Sequence, residues 1–200
     1  MLITLEGIDG SGKSTLAKKM ADTLHNVVLT KEPGGSALGK KLREILQMQP
    51  VPITPIAEFL LFAADRAQHF DEVVIPALEQ NKIVISDRMA DSSLVYQGYG
   101  RGINMENIKL VNKWVMQDIT PDITFYLKIP FDMAKARLEN RHALTTFEKE
   151  QESFTKKLIH GFDDLFKDRN NVIIIDGTQP PNHVASQALE VVNQWIKTHQ

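Results

Sequence analysis

Cysteine is absent from the 200-residue chain, which excludes disulfides, thiolate nucleophiles and cysteine-ligated zinc and makes a reducing compartment, the cytoplasm, the expected location. An excess of either charge is missing too. Lys and Arg number 23 against 25 Asp and Glu, a net charge of -2, so there is no footprint for non-specific nucleic-acid binding and no nucleic-acid partner is expected. No apolar run approaches the roughly 18 residues needed to cross a bilayer, so no membrane partner is expected either. The opening Met1-Leu-Ile-Thr-Leu-Glu-Gly lacks a basic region and is broken by Glu6, unlike a signal peptide. Internal repeats and low-complexity tracts are also lacking. With 42% hydrophobic and 24% charged residues, what remains is an ordinary globular composition, and the length suits a single domain spanning 1–200.

Short Val/Ile/Leu-rich runs at Leu2–Glu6, Asn26–Thr30, Ile83–Ser86, Ile123–Leu127 and Val172–Ile175 alternate with stretches of helical periodicity, such as Leu16, Met20, Leu24 and Val111, Val115, Ile119. The runs mostly lack polar alternation. That predicts an α/β fold: a five-stranded parallel sheet with helices on both faces and right-handed crossovers. Two stretches depart from this layout: a proline-punctuated insertion over 31–80, and a polar segment over 141–152 whose place between helical patterns suits a lid.

Gly7-Ile-Asp-Gly-Ser-Gly-Lys-Ser14 fits G-x-x-x-x-G-K-S/T between a predicted strand and a predicted helix. Such a match arises by accident in roughly one chain in a hundred of this length, and its context lowers that further. Glycines let successive N–H groups turn onto an anion, and the helix start adds partial positive charge. Gly7, Ile8, Asp9, Gly10, Ser11, Gly12, Lys13, Ser14 and Thr15 are therefore candidate ATP-binding residues, with Lys13 reaching the β/γ-phosphates and Ser14 offering a hydroxyl to Mg²⁺. A P-loop also serves switches and motors. The guanine reader of a GTPase is missing, since Asn112-Lys-Trp-Val115 lacks the aspartate.

A small-molecule kinase also needs a site for an anionic acceptor. Wound at about 100° per residue, segment 56–69 puts Glu58, Phe62, Asp65, Arg66 and His69 on one arc and Leu60, Ala64 and Ala67 opposite. Phe62 is then a surface aromatic or a stacking platform for a base, and Arg66 a salt-bridging residue or a phosphate grip. Asp87-Arg88 ends a strand where open α/β sheets bind ligands; it reads as an ion pair, or as a metal-holding acid beside a phosphate-holding arginine. Ser93 and Gln97 share a helical face that could read a base edge. Arg137 and Arg141 lead into the polar segment as a solvated helix end or as lid cations.

As a set, Gly7 to Thr15, Lys31-Glu-Pro-Gly-Gly35, Phe62-x-x-x-Arg66, Asp87-Arg88, Asp91-Ser-Ser-Leu-Val-Tyr-Gln-Gly98 and Gly100-Arg-Gly102 resemble the bacterial thymidylate kinases over nearly the whole chain. The resemblance implies γ-phosphoryl transfer from MgATP to dTMP, and a homodimer. It implies contacts of Asp9 with the sugar 3′-hydroxyl, Phe62 with thymine, Arg66 and Arg88 with the monophosphate, Ser93 and Gln97 with the base edge, Arg43 near the base carbonyl and Glu32 near sugar or metal. Ser14 and Asp87 would serve the metal. Lys13, Arg88 and the lid residue Arg141 would be catalytic, with Arg137 in the ATP site or as the alternative lid cation, and Asp176-Gly-Thr-Gln179 beside adenine. Two departures from the family pattern stand out: Lys31 replaces an arginine, and the lid carries Arg141-His142 and Thr145-Thr146 in place of its usual Arg-Gly and Asp-Arg pairs. Another nucleoside monophosphate as acceptor, and an ATP-binding switch without an acceptor, are the competing readings.

Overall fold

The computed structural model describes residues 1–48, 52–139 and 152–199. The apolar runs form β1 (Leu2–Glu6), β2 (Val27–Lys31), β3 (Ile83–Asp87), β4 (Ile123–Lys128) and β5 (Val172–Asp176), each within a residue or so of its predicted ends. They pair in parallel in the order β2-β3-β1-β4-β5. Burial on both faces holds for β1 and β4, whereas the edge strands keep Leu29 and Ile174 about half exposed.

On one face of the sheet, Ile3 and Leu5 pack with Phe125 against Leu16 and Met20 of α1 (Lys13–Thr23) and Ala188 and Val192 of α9 (Pro181–His199). Other clusters pack Leu2 and Val84 with Phe70, Val74 and Met116, and Tyr126 with Phe162 and Phe166 of α8 (Glu152–Phe166). Among the described residues no helix is long and apolar enough to cross a membrane.

The 31–80 insertion is largely helical, comprising α2 (Ala37–Met48), α3 (Pro55–His69), a π-helical turn (Phe70–Val74) and α4 (Ile75–Glu79). Pro55 opens α3 at a position where a missing N–H costs nothing. Beside the apolar Phe59 and Ala63, the helix buries a charged stripe. Glu58, Asp65, Arg66 and His69 are almost fully buried, while Ile56 and Leu60 are 64% and 52% exposed. Burying charge is costly unless every group finds a partner, so this face exists to build something internal. α2 can approach it because Gly39 has no side chain: a Cβ there would lie 2.2 Å from Asp65 Oδ1.

Beyond β3 come α5 (Ala90–Ser93), a second π-helical turn (Leu94–Gly100) and α6 (Met105–Val115). Asn104 caps α6 by accepting from the Glu106 and Asn107 N–H groups. The predicted continuation of this helix to Ile119 is not realised. Gln117 and Asp118 adopt left-handed φ values of 51° and 61°, which end it. α7 (Phe131–Glu139) follows β4. Of the proposed lid, only Glu152 is described; Arg141, His142, Thr145 and Thr146 lie outside the described residues, as does Pro50.

Candidate active site

The carboxyl ends of β1, β2 and β3 open on a cleft of about 360 Å³. The loop after β1 closes in a tight arc before α1. Gly7 and Gly10 have φ values of 140° and 82°, and a Cβ would lie 2.7 Å from Leu127 O at Gly7 and 2.9 Å from Ala134 O at Gly10, so only glycine fits. Lys13 Nζ donates to Gly7 O at 3.0 Å and Ile8 O at 2.8 Å, with Ser11 Oγ at 3.4 Å. Burial, joined by the nearby Arg88 charge, pulls the lysine down to about 8. Ser14 Oγ donates to Asp87 Oδ2, bringing the two candidate metal-binding oxygens together.

Arg88 follows the strand in a left-handed conformation, φ 72°, unusual outside glycine. The Ser86 hydroxyl donates to Arg88 O at 2.7 Å, and Glu6 accepts the Met89 N–H at 2.9 Å, holding the turn from both sides. The guanidinium so aimed donates to Gly7 O (2.8 Å), Asp9 Oδ1 (2.6 Å), Ser92 Oγ (3.1 Å) and Tyr96 Oη (3.0 Å). Burial disfavours a charge on Asp9, but Arg88 and Lys13 outweigh it and hold its carboxyl below the ordinary range. Burial, then the charge of Asp91, pushes Glu6 up to about 8.

At the other end of the cleft lies the buried face of α3. Arg66 Nε donates to Glu32 Oε2 (2.8 Å), Nη1 to Asn112 Oδ1 (2.7 Å) and Nη2 to Ser93 Oγ (3.2 Å). Glu32 Oε1 meets His69 Nδ1 at 3.0 Å, and His69 Nε2 lies 2.7 Å from Thr30 Oγ1. Half-buried Phe62 lines the cleft one turn before Arg66.

The cleft thus collects Asp9, Gly10, Gly12, Lys13, Ser14, Thr15, Glu32, Arg43, Phe62, Arg66, Asp87, Arg88, Ser93 and Gln97, all expected from the sequence, together with Lys31. Arg43, on α2, donates to Pro33 O. Gly7 and Ile8 lie beneath the loop and present their carbonyls to Lys13. Ser11 and Arg137 line a second cavity of about 240 Å³ that shares Gly10, Gly12 and Thr15 with the first and also includes Gly177 and Gln179. Arg137 is clamped there, donating to Gly10 O (3.1 Å) and Gly177 O (2.9 Å). Glu6 and Tyr96 carry no role expected from the sequence, and Asn112 enters it only in the segment that lacks a guanine reader's aspartate. Asn112 carried no usable signal, because its partner Arg66 is 46 positions away.

A glycine-rich anion cradle between the central strand and first helix of a parallel 2-3-1-4-5 sheet defines a P-loop nucleotide-binding α/β protein. The comparisons with known proteins narrow the class. The family model described as thymidylate kinase matches residues 5–188. The thymidylate kinase of Finegoldia magna is 38% identical over 97% of this chain and 98% of its own length. That of Thermosipho africanus is 39% identical over 99% and 100%. The crystal structure of thymidylate kinase from Ehrlichia chaffeensis superposes with a TM-score of 0.78 at 35% identity, covering 96% of this chain and 98% of that one. The chain belongs to the thymidylate kinase family.

Proposed function

We propose that this chain transfers the γ-phosphoryl group of MgATP to dTMP, giving dTDP and ADP. One observation carries the reading: two cavities meet at the P-loop, one continuing towards Arg137 and Gly177, the other towards Phe62, Arg66, Ser93 and Gln97. That arrangement suits a donor and an acceptor nucleotide joined through their phosphates.

The acceptor phosphate is itself the nucleophile, so catalysis is alignment and charge neutralisation without a covalent intermediate. Lys13 would swing from the loop carbonyls onto the donor phosphates. Arg88 grips the acceptor phosphate, and Asp9, bonded to Arg88, positions the sugar. Ser14 and Asp87 offer hard oxygens that fit Mg²⁺, which binds through few protein groups plus phosphates and water. When bound, the ion neutralises charge on the β- and γ-phosphates.

Arg66 is bonded to Ser93 and lies one turn from Phe62, so its place favours the base over the phosphate. Glu32, with its oxygens on Arg66 and His69, acts through Arg66. Arg43 is a further cation along the cleft wall, Arg137 belongs with the adenine end, and Arg141 is the lid cation. The insertion over 31–80 serves as the monophosphate-binding part of one kinase domain, and 141–152 as its lid.

The reading includes a cytoplasmic homodimer. Leu38 and Ile45 of α2, Ile56 and Leu60 of α3, and Leu110 and Trp114 of α6 are all exposed, Trp114 by 79%, on helices that pack side by side.

Rates with MgATP and a panel of dTMP, dUMP, dCMP, dGMP, AMP and thymidine test the proposal. dTMP is expected to give the highest kcat/KM, and a better acceptor in the panel would overturn it.

A further inference from the structure

Gln97, in the π-helical turn after α5, is 1% exposed and lines the cleft. A primary amide is ambiguous in isolation, since its NH₂ end donates, its carbonyl end accepts, and a half-turn exchanges them. Here the exchange is blocked. Gln97 Nε2 donates to Glu58 Oε1 at 2.9 Å. Glu58, in the first turn of α3, is itself 2% exposed, and Arg101 lies 3.5 Å from both of its oxygens. A carboxylate only accepts hydrogen bonds, so turning the amide over would face two acceptors in a buried space.

The carbonyl end of Gln97 is therefore held away from Glu58. Among the described residues no donor bonds to Gln97 Oε1, and the one buried side-chain atom without a partner is Asp65 Oδ2, so Gln97 Oε1 opens on the cleft. Arg66, nearby through Ser93, can only donate. Together they present a donor and an acceptor of defined sense.

Resting on the reading that a pyrimidine monophosphate occupies this end, we propose that Glu58 is a positioning residue that sets base selectivity by fixing the sense of the Gln97 amide. Thymine and uracil carry N3–H between two carbonyls and match a fixed acceptor. Cytosine carries an acceptor N3 beside an amino group and places acceptor against acceptor. Selection between the two classes thus depends on a carboxylate that need not touch the base.

The test compares wild type, Glu58→Ala and Glu58→Gln with dTMP, dUMP and 5-methyl-dCMP, each with MgATP. The last differs from dTMP only in the hydrogen-bonding pattern at positions 3 and 4. In Glu58→Ala the dTMP to 5-methyl-dCMP ratio of kcat/KM is expected to fall about tenfold, the worth of roughly one hydrogen bond. The dTMP to dUMP ratio should stay constant, because both bases offer N3–H, and KM for ATP should not move. Glu58→Gln, close in size and able to accept or donate, should lie between, and it keeps the test alive if the alanine variant folds poorly. Parallel losses for dTMP and 5-methyl-dCMP, or an unchanged ratio, in a chain that accepts dTMP would overturn the inference alone. Failure of the wild type to accept dTMP would overturn the acceptor reading and this inference with it.

Discussion

The two ends of the cleft are built by different means. At the phosphate end an uninterrupted run, Gly7 to Thr15, supplies the turn, the lysine and the start of α1, and its anion-binding groups are mostly backbone amides. At the end proposed for the base Glu32, Glu58, Phe62, Arg66, Ser93, Gln97 and Asn112 arrive from the residue after β2, from α3, α5, its following turn and α6, and most are charged or polar side chains buried in two networks, one around Arg66 and one joining Gln97 to Glu58. Backbone donors stay in place when a neighbouring side chain such as that of Lys13 is truncated, although Gly7 and Gly10 admit no larger residue. A buried side-chain network does not stay in place, because each group is also its neighbour's partner. Truncating Lys13 at the first end should therefore act on phosphate chemistry alone, and changes at the second should spread to recognition and stability.

The largest effect is expected from Lys13→Ala. Turnover should fall roughly a thousandfold, while dTMP affinity measured by calorimetry without ATP stays within about threefold. Equal loss of both would show that the two ends are not separable. A smaller effect, confined to the other end, is expected from Phe62→Ala. A stacking platform is worth about 1–3 kcal/mol, so KM for dTMP should rise at least about fivefold with KM for ATP unchanged; a matching rise for ATP would break the comparison.

The smallest effect concerns Asp65, whose Oδ1 accepts from the Gly34 N–H while Oδ2 is unpaired. Burial, then the Glu32 charge, pushes this carboxyl up to about 6 from an ordinary 3.8. Its neutral form is favoured by folding, so the contribution to stability is complete below about pH 4 and is lost as pH rises through 6. Asp65→Asn escapes that loss. Relative to the parent, it should gain about 1–2 kcal/mol between pH 4 and pH 7.5 in urea unfolding. A gain independent of pH would remove Asp65 from the titrating network.

Much of the fold was legible because its causes are local. Unalternating β-branched runs marked strands, and the glycine-lysine-serine spacing marked the cradle. The arc on α3 was legible as a set of residues sharing a side, but not as the buried side: a polar stripe ordinarily faces water, and only the partners supplied by Glu32, Ser93, Gln97 and Asn112 let it turn inward. Ser93 and Gln97 were placed together by helical spacing, and the wide turn that actually carries Gln97 was not foreseen. Arg137, expected from the sequence in the ATP site or as an alternative lid cation, is bonded to Gly10 and Gly177, contacts its local sequence does not announce.

Sequence alone determined the order of strands and helices, the phosphate cradle and the helix face from which a base could be recognised, because backbone geometry and hydrophobic period act over a few residues. Tertiary structure alone decided which carboxylate holds which arginine, which way the Gln97 amide points and which side of α3 is dry. Those outcomes depend on hydrogen bonds between groups tens of positions apart, and the local sequence around either partner does not encode them.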